Sequence, residues 1–196
     1  MERAQHILEE EMKLREKTEA VFLELIKTPE ITETLQLLDK LPGHLKYHNK
    51  AHTLDVIFET ILFAVADNVS PEIIKLQAIS AAWHDTGFIE QDKDNEKIAV
   101  SLFEASEVYK TLSESERKEV IANIWDTQVV LKDEAPFLLK QQSELAYALD
   151  GDVSNFGRED FFDLRTRVAE ELGLARHRPA QPLADHGTHQ RRIWHG

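Results

Sequence analysis

Cysteine is absent from this chain, and that absence narrows its chemistry at once. Neither a disulfide framework nor a thiolate metal site can be built, so any metal ion must be held by nitrogen and oxygen. Glycine (7) and proline (6) are scarce among 196 residues, which disfavours a turn-rich β architecture. There is no run of 18 or more apolar residues, the length that marks a membrane-crossing helix, so no membrane partner is expected. The segment Met1 to Arg15 is charged and lacks the apolar centre of a signal peptide, and a cytoplasmic protein is the expectation. Positive charge is also in deficit, with 23 Lys and Arg against 36 Asp and Glu, for a net charge of −13. A nucleic-acid polymer needs a basic face and is disfavoured as a partner. A small phosphate ester is not excluded, because a bound divalent ion reverses the sign of the local field.

What is present reads as helix almost throughout. Apolar residues make up 42% and charged residues 30%, ordinary for one globular domain with a real core. Residues 3–27 place Ile7, Leu8, Met12, Leu14, Val21, Phe22, Leu25 and Ile26 among many Glu and Lys, an amphipathic first helix. Thr28-Pro29 opens a second, over about 30–40, and Leu41-Pro42-Gly43 breaks it. A third spans about 49–67. Ser70-Pro71 starts a fourth that runs to about Asp85, and its apolar stretch Ile79–Trp83 belongs at the centre of the bundle. After a loop at 86–93, a fifth helix is expected over 94–110. Ser113 and Glu116 fit a capping box opening a sixth, to about Val130. A seventh is expected from about Pro136 through Tyr147, with room to continue past Gly151, and an eighth over 158–173. No stretch alternates long enough to argue for a sheet. The fold class expected is all-α, a single bundle of about seven to eight helices. Residues 174–196 differ in holding four Arg, one Asp and four of the nine His, for a formal charge of +3 against −16 for residues 1–173. They read as a disordered His/Arg-rich tail.

Three scattered groups carry chemistry: Tyr47-His48-Asn49 with His52, then His84-Asp85, then Asp150-Gly151-Asp152. His and Asp are the ligand types that hold a divalent ion around an open water position. His48, His52 and Asp55 stand at i, i+4 and i+7 and share one helix face. His52, deeper in the helix, is the better ligand. Asp55, one turn away, is expected to accept its second ring proton and fix the tautomer. His48, near the helix start, suits a general acid that protonates a leaving oxygen. At the end of an apolar helix, an imidazole and a carboxylate beside Trp83 are costly to bury without partners, and a metal ion satisfies both His84 and Asp85. The helix dipole accounts for His84 but not for Asp85, since a carboxylate is unfavourable at a helix C-terminus. Gly87 is expected to let the chain turn sharply. Asp150 and Asp152 are two apart, so on a helix they point roughly 200° apart and do not bind the same ion. Spacing does not choose between them.

These motifs resemble the HD-domain metal-dependent phosphohydrolase superfamily. Tyr47-His48-Asn49-Lys50-Ala51-His52-Thr53-Leu54-Asp55-Val56 is close to the Tyr-His-Asn-x-x-His-x-x-Asp-Val motif of class I cyclic-nucleotide phosphodiesterases. His84-Asp85-Thr86-Gly87 resembles their His-Asp-x-Gly, and Gly151-Asp152-Val153-Ser154-Asn155 their Ala-Asp-Leu-Ser-Asn. The resemblance covers about residues 45–157. It implies metal ligation by His52, His84, Asp85 and Asp152 and a proton-donor role for His48, and it chooses Asp152 over Asp150, leaving Asp150 a supporting or capping role. The chain is shorter than a phosphodiesterase domain and resembles more closely the small bacterial HD proteins, in which an Asn-Glu pair follows, here Asn95-Glu96. Cyclic-nucleotide hydrolysis is therefore not implied.

The expected cofactor is one divalent ion, Mn²⁺, Fe²⁺, Co²⁺, Ni²⁺ or Zn²⁺ rather than Mg²⁺. A second, weaker ion, for which Mg²⁺ is a choice, would share Asp85 and draw on Glu96 or Asp126. Lys50 and Glu96 are candidates to position water or phosphate. Asp126 and Thr127, polar within an apolar stretch, suit either a pocket wall or a buried structural hydrogen bond. The activity expected is hydrolysis of a phosphomonoester or phosphodiester, with a nucleotide as the favoured substrate, and a homo-oligomer is compatible with it. An HD-type oxygenase with a dinuclear iron site is the first alternative, but it needs extra histidines, and none occurs between Asp85 and His177. A non-catalytic metal-bound regulatory or scaffold module is the second.

Overall fold

Cap chemistry decides where the helices begin. The computed structural model describes residues 2–91, 93–132, 135–138, 142–158 and 160–173, and the 174–196 segment expected as a tail lies outside the described residues. Helix α1 spans Glu2–Leu25. Pro29 occupies the first position of α2 (Pro29–Leu37), where its missing N–H costs nothing. The Asn49 side chain accepts from Ala51 N–H and His52 N–H and opens α3 (Lys50–Ala66). Ser70 caps α4 (Pro71–Trp83) through Ile73 N–H. The stretch expected as one fifth helix is two, α5 (Asn95–Glu104) and α6 (Glu107–Thr111). Ser106 separates them, because its hydroxyl donates to Phe103 O at 2.6 Å and accepts from Tyr109 N–H at 3.0 Å. The Ser113–Glu116 capping box opens α7 (Glu114–Asp126) as expected. Two further helices follow, α8 (Tyr147–Asp152) and α9 (Phe161–Glu171).

The segment between α7 and α8 departs from expectation. Helix α7 stops at Asp126 rather than Val130, and the helix expected from about Pro136 begins only at Tyr147, as α8. Instead β1 (Val129–Lys132) and β2 (Ala135–Leu138) form one antiparallel pair, with Val130 opposite Phe137 and Leu131 opposite Pro136. Val129-Val130-Leu131 is a β-favouring run, and proline is tolerated on a strand at a sheet edge. The molecule is nonetheless an all-helical bundle, with nine α-helices among the described residues.

Helices α3 and α4 form its centre. Ile57, Ile61, Ala64, Ala78, Ile79, Ala81, Ala82 and Trp83 are buried there, and the alanines let the two helices approach closely. Phe103 of α5 meets Trp83 edge-on, with ring centroids 5.5 Å apart. Helices α1 and α8 pack on α3, and α7 packs on α4. Three polar side chains seat the chain leading into α8. Asp126 accepts from Gln142 N–H (2.6 Å) and from Ser143 N–H (2.9 Å) and Oγ–H (2.6 Å). Glu119 accepts from Glu144 N–H (3.0 Å), and Gln77 Oε1 from Ala148 N–H (3.2 Å). Gly151 lets α8 touch α3, where a Cβ would stand 2.4 Å from Thr60 Oγ1 and 2.9 Å from Val56 O. No helix among the described residues is long and apolar enough to cross a membrane.

Candidate metal centre

Each proposed ligand sits at the end of a helix, and the packing of α3, α4 and α8 brings the three ends together. His52 lies in the first turn of α3, His84 caps the C-terminus of α4 with Asp85 next to it, and Asp152 is the last residue of α8. His52 Nε2 lies 3.4 Å from Asp85 Oδ2 and 3.3 Å from Asp152 Oδ1. His84 Nε2 lies 3.0 Å from Asp85 Oδ2 and 3.6 Å from Asp152 Oδ1. One donor atom from each of His52, His84 and Asp152 falls within a 4.8 Å span, so this group could hold a metal ion.

The donor atoms lack other partners. Six buried polar side-chain atoms among the described residues have no hydrogen bond, and three of them are His52 Nε2, His84 Nε2 and Asp85 Oδ2. Buried polar groups are nearly always satisfied, so three orphans facing one point mark a missing partner. His84 Nδ1 is 2.7 Å from Ala81 O, which assigns the ring proton to Nδ1 and leaves the Nε2 lone pair facing the centre. The electrostatics agree. Burial works to raise the Asp85 carboxyl, but the imidazoles of His84, His48 and His52 outweigh it and hold the group well below the usual carboxylate range. Burial likewise opposes charge on His84, yet Asp85 and Asp152 push its pKa up to about 10. A centre with this field attracts a cation, and with no ion bound it takes a proton.

His48 stands beside the centre, outside the ligand group. Its ring stacks on Phe88 at 4.2 Å and meets His52 edge-on at 5.9 Å. Its Nδ1 pairs with Glu171 Oε1, while Glu171 Oε2 accepts from Tyr47 N–H at 2.8 Å and His48 N–H at 3.2 Å. Burial opposes charge on His48, but Asp85 and Glu171 raise its pKa above the ordinary value. Sequence reasoning missed Glu171, because 123 residues separate it from His48 and no local pattern connects the two. It also missed that Asn155 donates to the Tyr47 hydroxyl at 2.6 Å.

The supporting residues fare unequally. The Asp55 carboxylate does not serve His52 and is instead engaged by Arg158, which also holds Asp160 at 2.9 Å. A guanidinium offers a carboxylate a stronger, charge-assisted bond than a neutral ring N–H does. Lys50 pairs with Asp39 at 2.7 Å on the exposed side of α3, not with the centre. Asp126 anchors the turn at Gln142-Ser143, the buried structural hydrogen bond that was one of its two expected uses. Asp150 faces away, lining a groove with Phe63, Asp67 and Tyr147. Glu96 alone keeps a link to the centre. It is buried, and burial together with the Asp85 carboxylate raises its pKa, while Gln128 donates to it at 3.4 Å. Gly87 lies in the 3₁₀ turn Thr86–Ile89 that follows α4. A Cβ there would fall 1.8 Å from Asn95 O, so glycine is required by contact between two backbones.

The molecule is an all-helical protein in which His52, His84 and Asp152 form a candidate centre and Asp85 lies against both imidazoles. No protein-family model, no curated protein and no solved structure matches the chain.

Proposed function

We propose that the chain is a metal-dependent phosphohydrolase of the HD type, acting on a small phosphomonoester or phosphodiester, with a nucleotide the favoured class. The observation that carries this reading is the convergence of His52 Nε2, His84 Nε2 and Asp85 Oδ2, buried with no polar side chain to face but one another and Asp152, beside the protonatable His48. His52, His84, Asp85 and Asp152 would hold one ion, and the nitrogen–oxygen donor set favours Mn²⁺, Fe²⁺, Co²⁺, Ni²⁺ or Zn²⁺ over Mg²⁺. When bound, such an ion lowers the pKa of water and polarises a phosphoryl oxygen. The protein's own groups complete the reaction. Glu171 takes Nδ1 of His48, so proton donation falls to Nε2. As water attacks phosphorus in line, the bond to the leaving oxygen breaks and that oxygen receives the His48 proton. The proton of a water acidified in this way is released to solvent, and Asp85, held ionised by the imidazoles around it, would serve by holding the ion.

The test is a screen of phosphomonoesters, nucleotides and cyclic nucleotides with Mn²⁺, Co²⁺ and Ni²⁺, alongside measurement of bound metal. Asp85→Ala loses both metal and activity, whereas His48→Ala keeps the metal and loses turnover by about 10²–10⁴-fold. Tight metal binding with no hydrolysis across the screen would favour the scaffold reading instead.

A further inference from the structure

The two histidines of the centre are held in different ways. The His84 ring is fixed by a hydrogen bond, since Nδ1 stands 2.7 Å from Ala81 O and Nε2 is thereby turned to the centre. His52 lacks that hold. Among the described residues no group bonds its Nδ1, and Asp55, one turn away, is taken by Arg158. Nor is the ring packed on every side, because it borders a cavity of about 190 Å³ with Ala51, Asp55, Arg158 and Leu164. An imidazole with no bond at its far nitrogen and open space beside it needs another restraint to keep Nε2 on the centre.

Tyr47 supplies one. Its ring lies against the His52 ring, with centroids 4.3 Å apart and planes tilted by 37°. The tyrosine is itself held at both ends. Its N–H donates to Glu171 Oε2 at 2.8 Å, and its hydroxyl accepts from Asn155 Nδ2 at 2.6 Å. Asn155 stands in the 3₁₀ turn Ser154–Gly157, which continues the chain from Asp152 at the end of α8. One buried side chain thus touches His52 with its ring and the segment behind Asp152 with its hydroxyl. We propose that Tyr47 and Asn155 are positioning residues, which lock the His52 imidazole against Asp152 and keep the candidate centre in shape for an ion. Without their bond the His52 ring is free to turn towards the cavity, and the turn after Asp152 loses its tie to α3. The inference rests on the reading of the centre as a metal site, but not on the reaction assigned to it.

The test is a titration of the full chain with Co²⁺, followed by visible absorption, which reports both affinity and the arrangement of donors around the ion. Tyr47→Phe keeps the ring and loses the hydroxyl, and Asn155→Ala removes the other half of the bond. Each weakens Co²⁺ binding by about tenfold and shifts the absorption bands, while the far-ultraviolet dichroism stays that of wild type. Both substitutions together cost no more than either alone, because they remove the same bond. Tyr47→Leu, which also removes the ring, costs about a hundredfold. Wild-type affinity and spectrum in Tyr47→Phe and Asn155→Ala overturn the proposal even if both variants melt at a lower temperature, since the pair is then a structural tie alone. A double variant whose loss is the product of the single losses overturns it too, because the two residues then act apart. A wild-type chain that takes up no Co²⁺ overturns the metal-site reading itself, and this inference with it.

Discussion

At the residue scale the account rests on how a few side chains are satisfied or left unsatisfied. His84 and Asp85 were legible in the sequence because adjacency at the end of an apolar helix leaves the carboxylate without a structural use. Asp152 was legible only by resemblance, since spacing alone did not separate it from Asp150. Glu171 and the Asp55–Arg158 pair were not legible, because each joins residues more than a hundred positions apart. Two predictions belong here. Burial acts to raise the Glu171 carboxyl, but His48 and the amides of Tyr47 and His48 push its pKa down to about 2 from an ordinary 4.5. Because the folded value lies below the unfolded one, this contribution is present above pH 4.5 and is lost as the pH falls towards 2. Glu171→Gln therefore lowers stability by about 1–3 kcal/mol at neutral pH and flattens the acid limb of a stability–pH curve. An acid limb identical to wild type would refute that role. Second, metal uptake near neutral pH expels the proton that the ion-free centre holds on His84, so affinity rises with pH. Calorimetry in buffers of different ionisation enthalpy reads that proton directly.

At the element scale, two close contacts at glycine position the elements that carry the candidate ligands. Helix α8 carries Asp152 and reaches α3 only because Gly151 has no side chain. Gly151→Ala puts a methyl group 2.4 Å from Thr60 Oγ1, costs about 1–3 kcal/mol in chemical denaturation, and weakens metal binding by displacing Asp152. Gly87→Ala meets backbone rather than a side chain, at 1.8 Å from Asn95 O, and costs about 3 kcal/mol. Equal stabilities of these variants and wild type would show that the helix contacts are looser than described. The helices with strong caps, α3, α4 and α7, were read from sequence to within a few residues. The hairpin at Val129–Leu138 was not, because a four-residue strand is too short for alternation to register. The division between α5 and α6 depends on a single serine whose hydroxyl serves both helices.

At the scale of the whole molecule, the acidic balance and the buried centre act together. A chain of net charge −13 repels itself, and a divalent cation held at the candidate centre would relieve part of that repulsion. An ion present at a thousandfold its dissociation constant adds about 4 kcal/mol of stability, which for a domain of this size raises the melting temperature by roughly 8–16 °C. A chelator removes that increment from wild type and has no effect on Asp85→Ala. The all-helical class and the single core followed from composition and periodicity. The central claim is that His52, His84, Asp85 and Asp152 form one cation site. Its most direct test is the metal content of the purified chain after exhaustive dialysis against metal-free buffer and reloading with Co²⁺, measured for wild type and for His52→Ala. The account predicts one ion per wild-type chain and none retained by His52→Ala. An empty wild-type protein, or a His52→Ala variant that holds a full equivalent, would contradict it.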